Sequence, residues 1–346
     1  MKILKQVVGI DVSQSELVVS IGRFKENLSQ ELYGHKAFEN TQKGFKELTE
    51  WVTPKMVTGL DINYVMEATG VYHEALTYYL TDNEQLVSIL KPSKVSNYHK
   101  TLEVKTITDK TSSQTIAMFG LQKELEIWKR PKRAYREVRQ LTRERGQLID
   151  ERTALKNQLH AERSEAFPNK KSINRVEVRI KLLVDQEQEI MEEIKEITKQ
   201  DKSLGDSIKL ISSVPGIGFL TAATILSETN GFDLITNKKQ LTSYTGLDVI
   251  DKQSGTSVKG KARISKKGNK YLRKAMHLPA LAAIRHDERF KAIFARLVQK
   301  HGIKMKAAVA IQRRLLEMTY TIYKTNKPYE KDYLDKQTKV DSQKVS

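Results

Sequence analysis

The sequence predicts an α/β N-terminal domain, a long α-helical insert and a mainly α-helical C-terminal domain, and three changes of texture predict it. Up to about residue 120, β-rich runs alternate with segments of helical spacing. From Leu121 to about Thr198 the chain is charged and almost free of glycine, with apolar residues at intervals of three and four. From Ser207 to about Lys324 it turns globular again, punctuated by Pro and Gly. The 346 residues suffice for two or three domains with proper cores.

In the first part, "QVVGIDV" and "ELVVSIG" lie close together and predict a β-hairpin. "TQKGFKELTEWV" has helical spacing, "NYVMEATG" is a buried strand ending at an acid, "HEALTYYL" is helical and "QLVSIL" is a further strand. In the insert, Ile173, Val176, Ile180, Leu183, Ile190, Ile194 and Ile197 form a seam in which Glu187 takes one position. Val138, Leu141, Leu148, Leu155 and Leu159 form a second seam, so two long helices with coiled-coil periodicity are expected. The "AFPNKK" break around Pro168 turns the chain between them, giving an antiparallel hairpin or a flexed arm, with an ordinary helical bundle as the alternative. The expected divisions are 1–122, 123–204 as a dimerisation arm, 205–325, and a loose polar tail over 326–346.

Sixty Lys and Arg against forty-two Asp and Glu leave a formal charge of +18, which favours a polyanionic partner, nucleic acid first. The chain has no cysteine, which excludes thiolate metal sites and cysteine nucleophiles and fits a reducing cytoplasm. No apolar run approaches the roughly 18 to 20 residues of a membrane span, so no membrane partner is expected.

Asp11 ends the strand "VVGID", Glu67 ends "NYVMEATG", and Asp109 opens the helical pattern "DKTSSQTIAMFG". Singly, each acid has a structural role open to it: Asp11 a turn, Glu67 a pair with Lys, Asp109 a helix cap. Together, carboxylates at the ends of buried strands point to a site for Mg²⁺ or Mn²⁺, because a buried charge costs desolvation unless it is paired or bound to a cation. That arrangement resembles the ribonuclease H-like nuclease fold. The stretch "SSVPGIGFLTA" offers Gly216 and Gly218 in a turn similar to the hairpin of helix-hairpin-helix DNA-binding modules; a tight interhelical turn is the equal alternative.

Between Asp251 and Asp287 there is no acid. Lys252, Lys259, Lys261, Arg263, Lys266, Lys267, Lys270, Arg273, Lys274 and Arg285 accumulate there and suggest a surface that tracks phosphates. Ser254 sits beside a glycine in this segment, but residue chemistry alone does not separate it from Ser257 or Ser265 as a nucleophile. His99, His277, His286 and His301 lack ligand spacing and are read as structural, and Trp51 and Trp128 as packing residues.

Taken in order, "GIDVSQSELVVSI", "MEATGVYHEAL", "TDKTSSQTIA", "SVPGIGFLTAATILSE", "LTSYTGLDVIDKQSG" and "ISKKGNKYLRKAM" resemble the insertion sequence 110 transposases, relatives of Piv-type DNA invertases also called bridge recombinases. The resemblance implies a RuvC-like N-terminal domain whose first three acids are Asp11, Glu67 and Asp109, and a C-terminal transposase domain whose catalytic serine is Ser254. It implies excision and insertion through a serine–DNA linkage, target and donor DNA paired to a structured bridge RNA, and a dimer or tetramer joined through the coiled coil. The family's third block reads Asp-x-x-Asp, whereas this chain has Asp109-Lys-Thr-Ser112, so Ser112 stands where the fourth acid is expected. The alternatives are a junction-resolving nuclease acting through metal-activated water, and a catalytically impaired scaffold that binds RNA or DNA.

Overall fold

A computed structural model of the chain describes residues 2–102, 106, 108–233, 235–251, 253–254, 258–259 and 263–330, the side chains of 253, 254, 258 and 259 excepted. It divides into two compact units, Met1–Arg130 and Pro131–Ser346. Residues 123–130 stay with the first unit because the Trp128 N–H donates to the Val87 carbonyl at 2.7 Å and its indole meets Tyr78 edge-on. Within the second unit, the start of the helical insert is part of the C-terminal core.

In the first unit the strands are β1 (Ile3–Val12), β2 (Glu16–Lys25), β3 (Gln30–Glu39), β4 (Ile62–Glu67) and β5 (Leu86–Leu90). The helices are α1 (Gln42–Val52), α2 (Glu74–Asp82), α3 (Pro92–His99) and α4 (Asp109–Gln122). The sheet order is β3-β2-β1-β4-β5, antiparallel from β3 to β1 and parallel from β1 to β5. The hairpin expected from "QVVGIDV" and "ELVVSIG" is β1–β2. β3 carries no signal in the sequence, because it is an edge strand in which only Phe38 is buried and no apolar alternation marks it.

Period two explains what each sheet face carries. Val8, Ile10 and Val12 join Phe45, Leu48, Leu76 and Leu80 on the face covered by α1 and α2. Val7 and Val65 meet Val95, Ile116 and Leu121 on the opposite face, under α3 and α4. Asp11 and Glu67 share the parity of Val7 and Val65, so both project on the α4 side. They do so at the C-terminal ends of neighbouring parallel strands, where Ile10 pairs with Met66.

Helix α4 lies directly on β1 because Gly9 has no side chain there. A Cβ at position 9 would stand 2.3 Å from the Ala117 nitrogen and 2.5 Å from the Ser113 carbonyl oxygen. A buried Ser20–Ser113 hydroxyl pair at 2.8 Å fixes the helix along the sheet. Gly9→Ala is therefore expected to push α4 off the sheet and to cost about 1–3 kcal/mol in urea unfolding. Gly146→Ala, in a helix with nothing within 4 Å of the added carbon, should instead stabilise by about 0.5–1 kcal/mol.

In the second unit α5 (Arg133–Arg163) and α6 (Lys170–Gln200) run against each other, with Leu155, Val176 and Leu183 buried between them. Glu187, the polar member of the seam, is buried and paired with Arg145 at 3.6 Å and Arg152 at 3.0 Å. The chain turns at Phe167-Pro168, and Asn169 caps α6. At the other end Tyr135, Val138, Leu141, Ile190 and Ile194 enter one core with α7 (Lys202–Ile211), α8 (Phe219–Thr229) and later helices. Those are α9 (Lys238–Thr245), α10 (Lys270–Ala275), α11 (His277–His286), α12 (Glu288–His301) and α13 (Lys304–Thr325). Between α9 and α10, β6 (Val249–Ile250) pairs with β9 (Arg263–Ile264), and β7 (Gln253–Ser254) with β8 (Val258–Lys259).

The tail expected to be loose from residue 326 is docked at its start. The Tyr329 N–H donates to Ser213 Oγ at 2.9 Å, and its hydroxyl accepts from Arg289 Nη2 at 2.6 Å. Residues 331–346 of that tail lie outside the described residues. Among the described residues no helix is long and apolar enough to cross a membrane.

Candidate active site

Asp109 is the first residue of α4, but it is not the cap. Thr108 Oγ1 accepts from the Thr111 N–H at 3.2 Å, and Thr111 Oγ1 accepts from the Thr108 N–H at 2.8 Å, a reciprocal capping box. The Asp109 carboxylate is thereby left exposed and free of capping. This replaces the capping role that the sequence left open for it.

Asp11 is half-buried at the end of β1. Its carboxyl is held above the ordinary aspartate range by burial and then by the charge of Asp109. The Ser112 hydroxyl and the Val12 N–H donate to it and oppose that rise. Glu67 is also raised, by burial first and then by the charge of Asp11. Asp11 thus has one carboxylate neighbour on α4 and another on β4, and no cation contributes to either shift.

Among the described residues no three acidic or imidazole side chains stand close enough together to enclose an ion. The charges act pairwise, that of Asp109 on Asp11 and that of Asp11 on Glu67. The donor chemistry nevertheless fits a hard divalent cation: all the donors are oxygens, the like charges face one another unneutralised, and exposed Asp109 can change rotamer at no packing cost. Ser112 is engaged with Asp11 and adds an oxygen without a charge.

In the second unit, the segment from Asp248 to Ser265 is closed at its base. The Ser265 hydroxyl hydrogen-bonds Asp248 Oδ1 at 2.5 Å, its N–H donates to the Asp248 carbonyl at 2.8 Å, and Val249 pairs with Ile264. Ser265 therefore has a structural task. Ser254 lies further along the same segment, its backbone paired with Val258. The Ser254 and Lys259 side chains, and Lys252, Ser257 and Lys261 entirely, lie outside the described residues. Arg263, Lys266 and Lys267 are exposed. Arg273 differs from them, since its Nη1 donates to the Thr245 carbonyl at 2.8 Å and the Gly268 carbonyl at 3.2 Å, bracing the end of the segment.

Gly216 has a φ of +79°, and a Cβ on it would stand 2.3 Å from the Pro279 carbonyl oxygen. Close packing on α11 thus accounts for this glycine. Gly218 is the cap residue of α8 and has open space around it. His277 meets Gln312 at 3.0 Å, while Trp51 packs edge-on against Phe38 and Trp128 against Tyr78, in line with structural and packing roles.

One group was not anticipated. Glu228, with 1% of its side chain exposed, takes Arg143 Nε at 2.6 Å and Nη2 at 2.8 Å, and Asn269 Nδ2 at 2.7 Å. Its signal in the sequence is an acid at the end of the apolar run "FLTAATILSE", which cannot be buried without a partner.

Comparison with known proteins identifies several likenesses. Residues 8–168 match the DEDD transposase family of the IS110 type, and residues 208–295 match the family described as Transposase IS116/IS110/IS902. The chain is 27% identical to the pilin gene-inverting protein of Moraxella bovis over 336 residues, 94% of this chain and 98% of that protein. An uncharacterised 43.6 kDa protein of insertion element IS110 from Streptomyces coelicolor is 27% identical over 121 residues, covering 35% of this chain and 30% of that protein. Among solved structures, RuvC of T. thermophilus in complex with a Holliday junction substrate aligns with a TM-score of 0.27 and 10% identity, over 36% of this chain and all of that one.

Proposed function

Because the chain belongs to the IS110 family of transposases, a family of DNA-processing enzymes, we propose that it excises and inserts a mobile element through a covalent serine–DNA intermediate. The observation that carries this reading is the placing of Asp11 and Glu67 at the ends of neighbouring parallel strands, where Asp11 feels the charge of Asp109 from α4 and Glu67 that of Asp11, with no cation contributing to either shift. With a cation bound, such a site would suit the scissile phosphate of DNA. A divalent cation bound by Asp11, Glu67 and Asp109, Mg²⁺ in this proposal, would neutralise charge on that phosphate. The sheet order β3-β2-β1-β4-β5, with acids on β1, β4 and α4, supports a RuvC-like, ribonuclease H-like assignment for the first unit.

In this proposal Ser254 Oγ bonds to phosphorus as the bridging P–O bond breaks, the serine proton passes to solvent, and the leaving deoxyribose oxygen takes up a proton. Ser254 is the nucleophile that the family resemblance implies; Ser265 is hydrogen-bonded to Asp248 at the base of the segment. Lys259, Arg263, Lys266, Lys267 and Lys270 would hold nucleic-acid backbone, and a bridge RNA would choose target and donor by base pairing. The turn carrying Gly216 and Gly218 is proposed as a helix-hairpin-helix-like contact to DNA. The α5–α6 pair is proposed as a coiled-coil arm that joins protomers into a dimer or tetramer in the cytoplasm.

The test is a reporter plasmid carrying the element with its native flanks. Excision by the parent, lost in Glu67→Gln and accompanied by a discrete structured RNA that co-purifies, is the expected result. Binding without strand exchange in the parent would leave only a scaffold.

Ser112 supplies a second prediction. An acid at this position faces Asp11, so Ser112→Asp should lower the Mg²⁺ concentration needed for half-maximal activity and reduce Tm in metal-free buffer. An unchanged metal requirement would mean that position 112 does not face the ion.

A further inference from the structure

We propose that Arg143 is a phosphodiester-binding residue, fixed by Glu228 beside the end of the basic segment that contains Ser254. The proposal rests on the reading that the second unit handles nucleic acid, and it adds a residue from α5, outside the basic segment itself.

Glu228 is buried, so its charge must be matched, and Arg143 and Asn269 together occupy both of its oxygens. Asn269 simultaneously accepts from the Tyr271 and Leu272 N–H groups at 3.0 Å, which caps α10. Glu228 therefore links α5 and α8 to the point where the basic segment re-enters the helical core. The Arg143 guanidinium also lies over the Tyr271 ring, 4.4 Å from its centroid, so its plane is set from a second direction.

Arg143 is not consumed by these contacts. It uses Nε and one Nη2 proton on Glu228, which leaves both Nη1 protons and the other on Nη2. Its side chain is 38% exposed although its carboxylate partner is sealed. A buried ion pair adds little stability over apolar residues of the same volume, so fold stability alone does not explain a charged pair here. A guanidinium held rigid from behind with its outer edge in solvent suits a phosphate oxygen, which it can meet with paired donors. The nearby charges agree with an anionic ligand. Lys270 Nζ lies 5.2 Å from the same Tyr271 ring, and the charge of Arg139 reaches Tyr244, whose hydroxyl donates to the Glu228 carbonyl at 2.9 Å.

The experiment is the salt dependence of binding to a fluorescently labelled DNA duplex and to a single-stranded RNA of equal length, read by anisotropy. Arg143→Gln alone strands the buried carboxylate and should lower Tm. The double variant Arg143→Gln/Glu228→Gln restores a neutral hydrogen-bonded pair and should recover Tm, yet its slope of log affinity against log salt should be shallower by about one. Arg143→Met/Glu228→Met gives a second folded background with the same expected slope, while Arg143→Lys should keep the parent slope. A parent slope in either double variant overturns the proposal and leaves Arg143 a structural residue. A parent protein with no salt-dependent binding to either probe would instead overturn the nucleic-acid reading of the whole unit.

Discussion

Asp11→Asn is expected to abolish excision, with a rate loss of roughly 10²–10³-fold, while making the metal-free protein more stable. The two effects share one cause. Asp11 feels the charge of Asp109, and Glu67 that of Asp11, an arrangement that would serve the proposed cation site and that penalises the fold when no cation is bound. The raised carboxyl of Asp11 means that the folded chain holds a proton there more tightly than the unfolded chain does. Stability is therefore lost as pH climbs from the ordinary aspartate range through the raised value, and the loss persists at neutral pH. Asn at this position still accepts from Ser112 and removes the repulsion, so Tm in EDTA at neutral pH should rise by roughly 2–4 °C. Added Mg²⁺ should raise the parent's Tm and leave the variant's unmoved. A variant no more stable than the parent in EDTA would remove the case for opposed like charges.

Ser254→Ala is the second large effect. Removing the proposed nucleophile should reduce strand exchange by at least about 10³-fold while nucleic-acid binding and Tm stay at parent values. Ser265→Ala is the informative companion, because it breaks the 2.5 Å bond to Asp248 at the base of the same segment. That variant should lose stability by about 1 kcal/mol and retain the chemistry at a reduced rate. If the two serines exchanged these behaviours, the assignment of the nucleophile would be reversed.

Much of this arrangement was legible in the sequence because burial leaves a pattern. The runs around Val8 and Leu17 announce the hairpin, and an acid closing an apolar strand, as at Asp11 and Glu67, is conspicuous against the cost of burying it. β3 and α3 left no such mark, since the edge strand buries little beyond Phe38 and the short helix little beyond Val95. The cap of α4 was ambiguous because Thr108 and Asp109 are both good capping residues, and only the reciprocal bond from Thr111 separates them. The seams of α5 and α6 were visible, but the continuation of Tyr135, Val138 and Leu141 into the core of α7 and α8 was not, because periodicity gives the apolar face and not its partner. The pairing of Arg143 with Glu228 spans 85 positions, and no local rule joins them.

The central claim, attack by Ser254 on a phosphate of DNA, is tested most directly by trapping. Parent protein and an end-labelled DNA carrying the element's terminus, incubated with its native RNA and Mg²⁺ and then denatured, should give a labelled protein–DNA species whose cross-linked peptide, identified by mass spectrometry, contains Ser254. Strand cleavage that proceeds with no such species, or that persists in Ser254→Ala, would contradict the account and leave hydrolysis by water as the chemistry of this site.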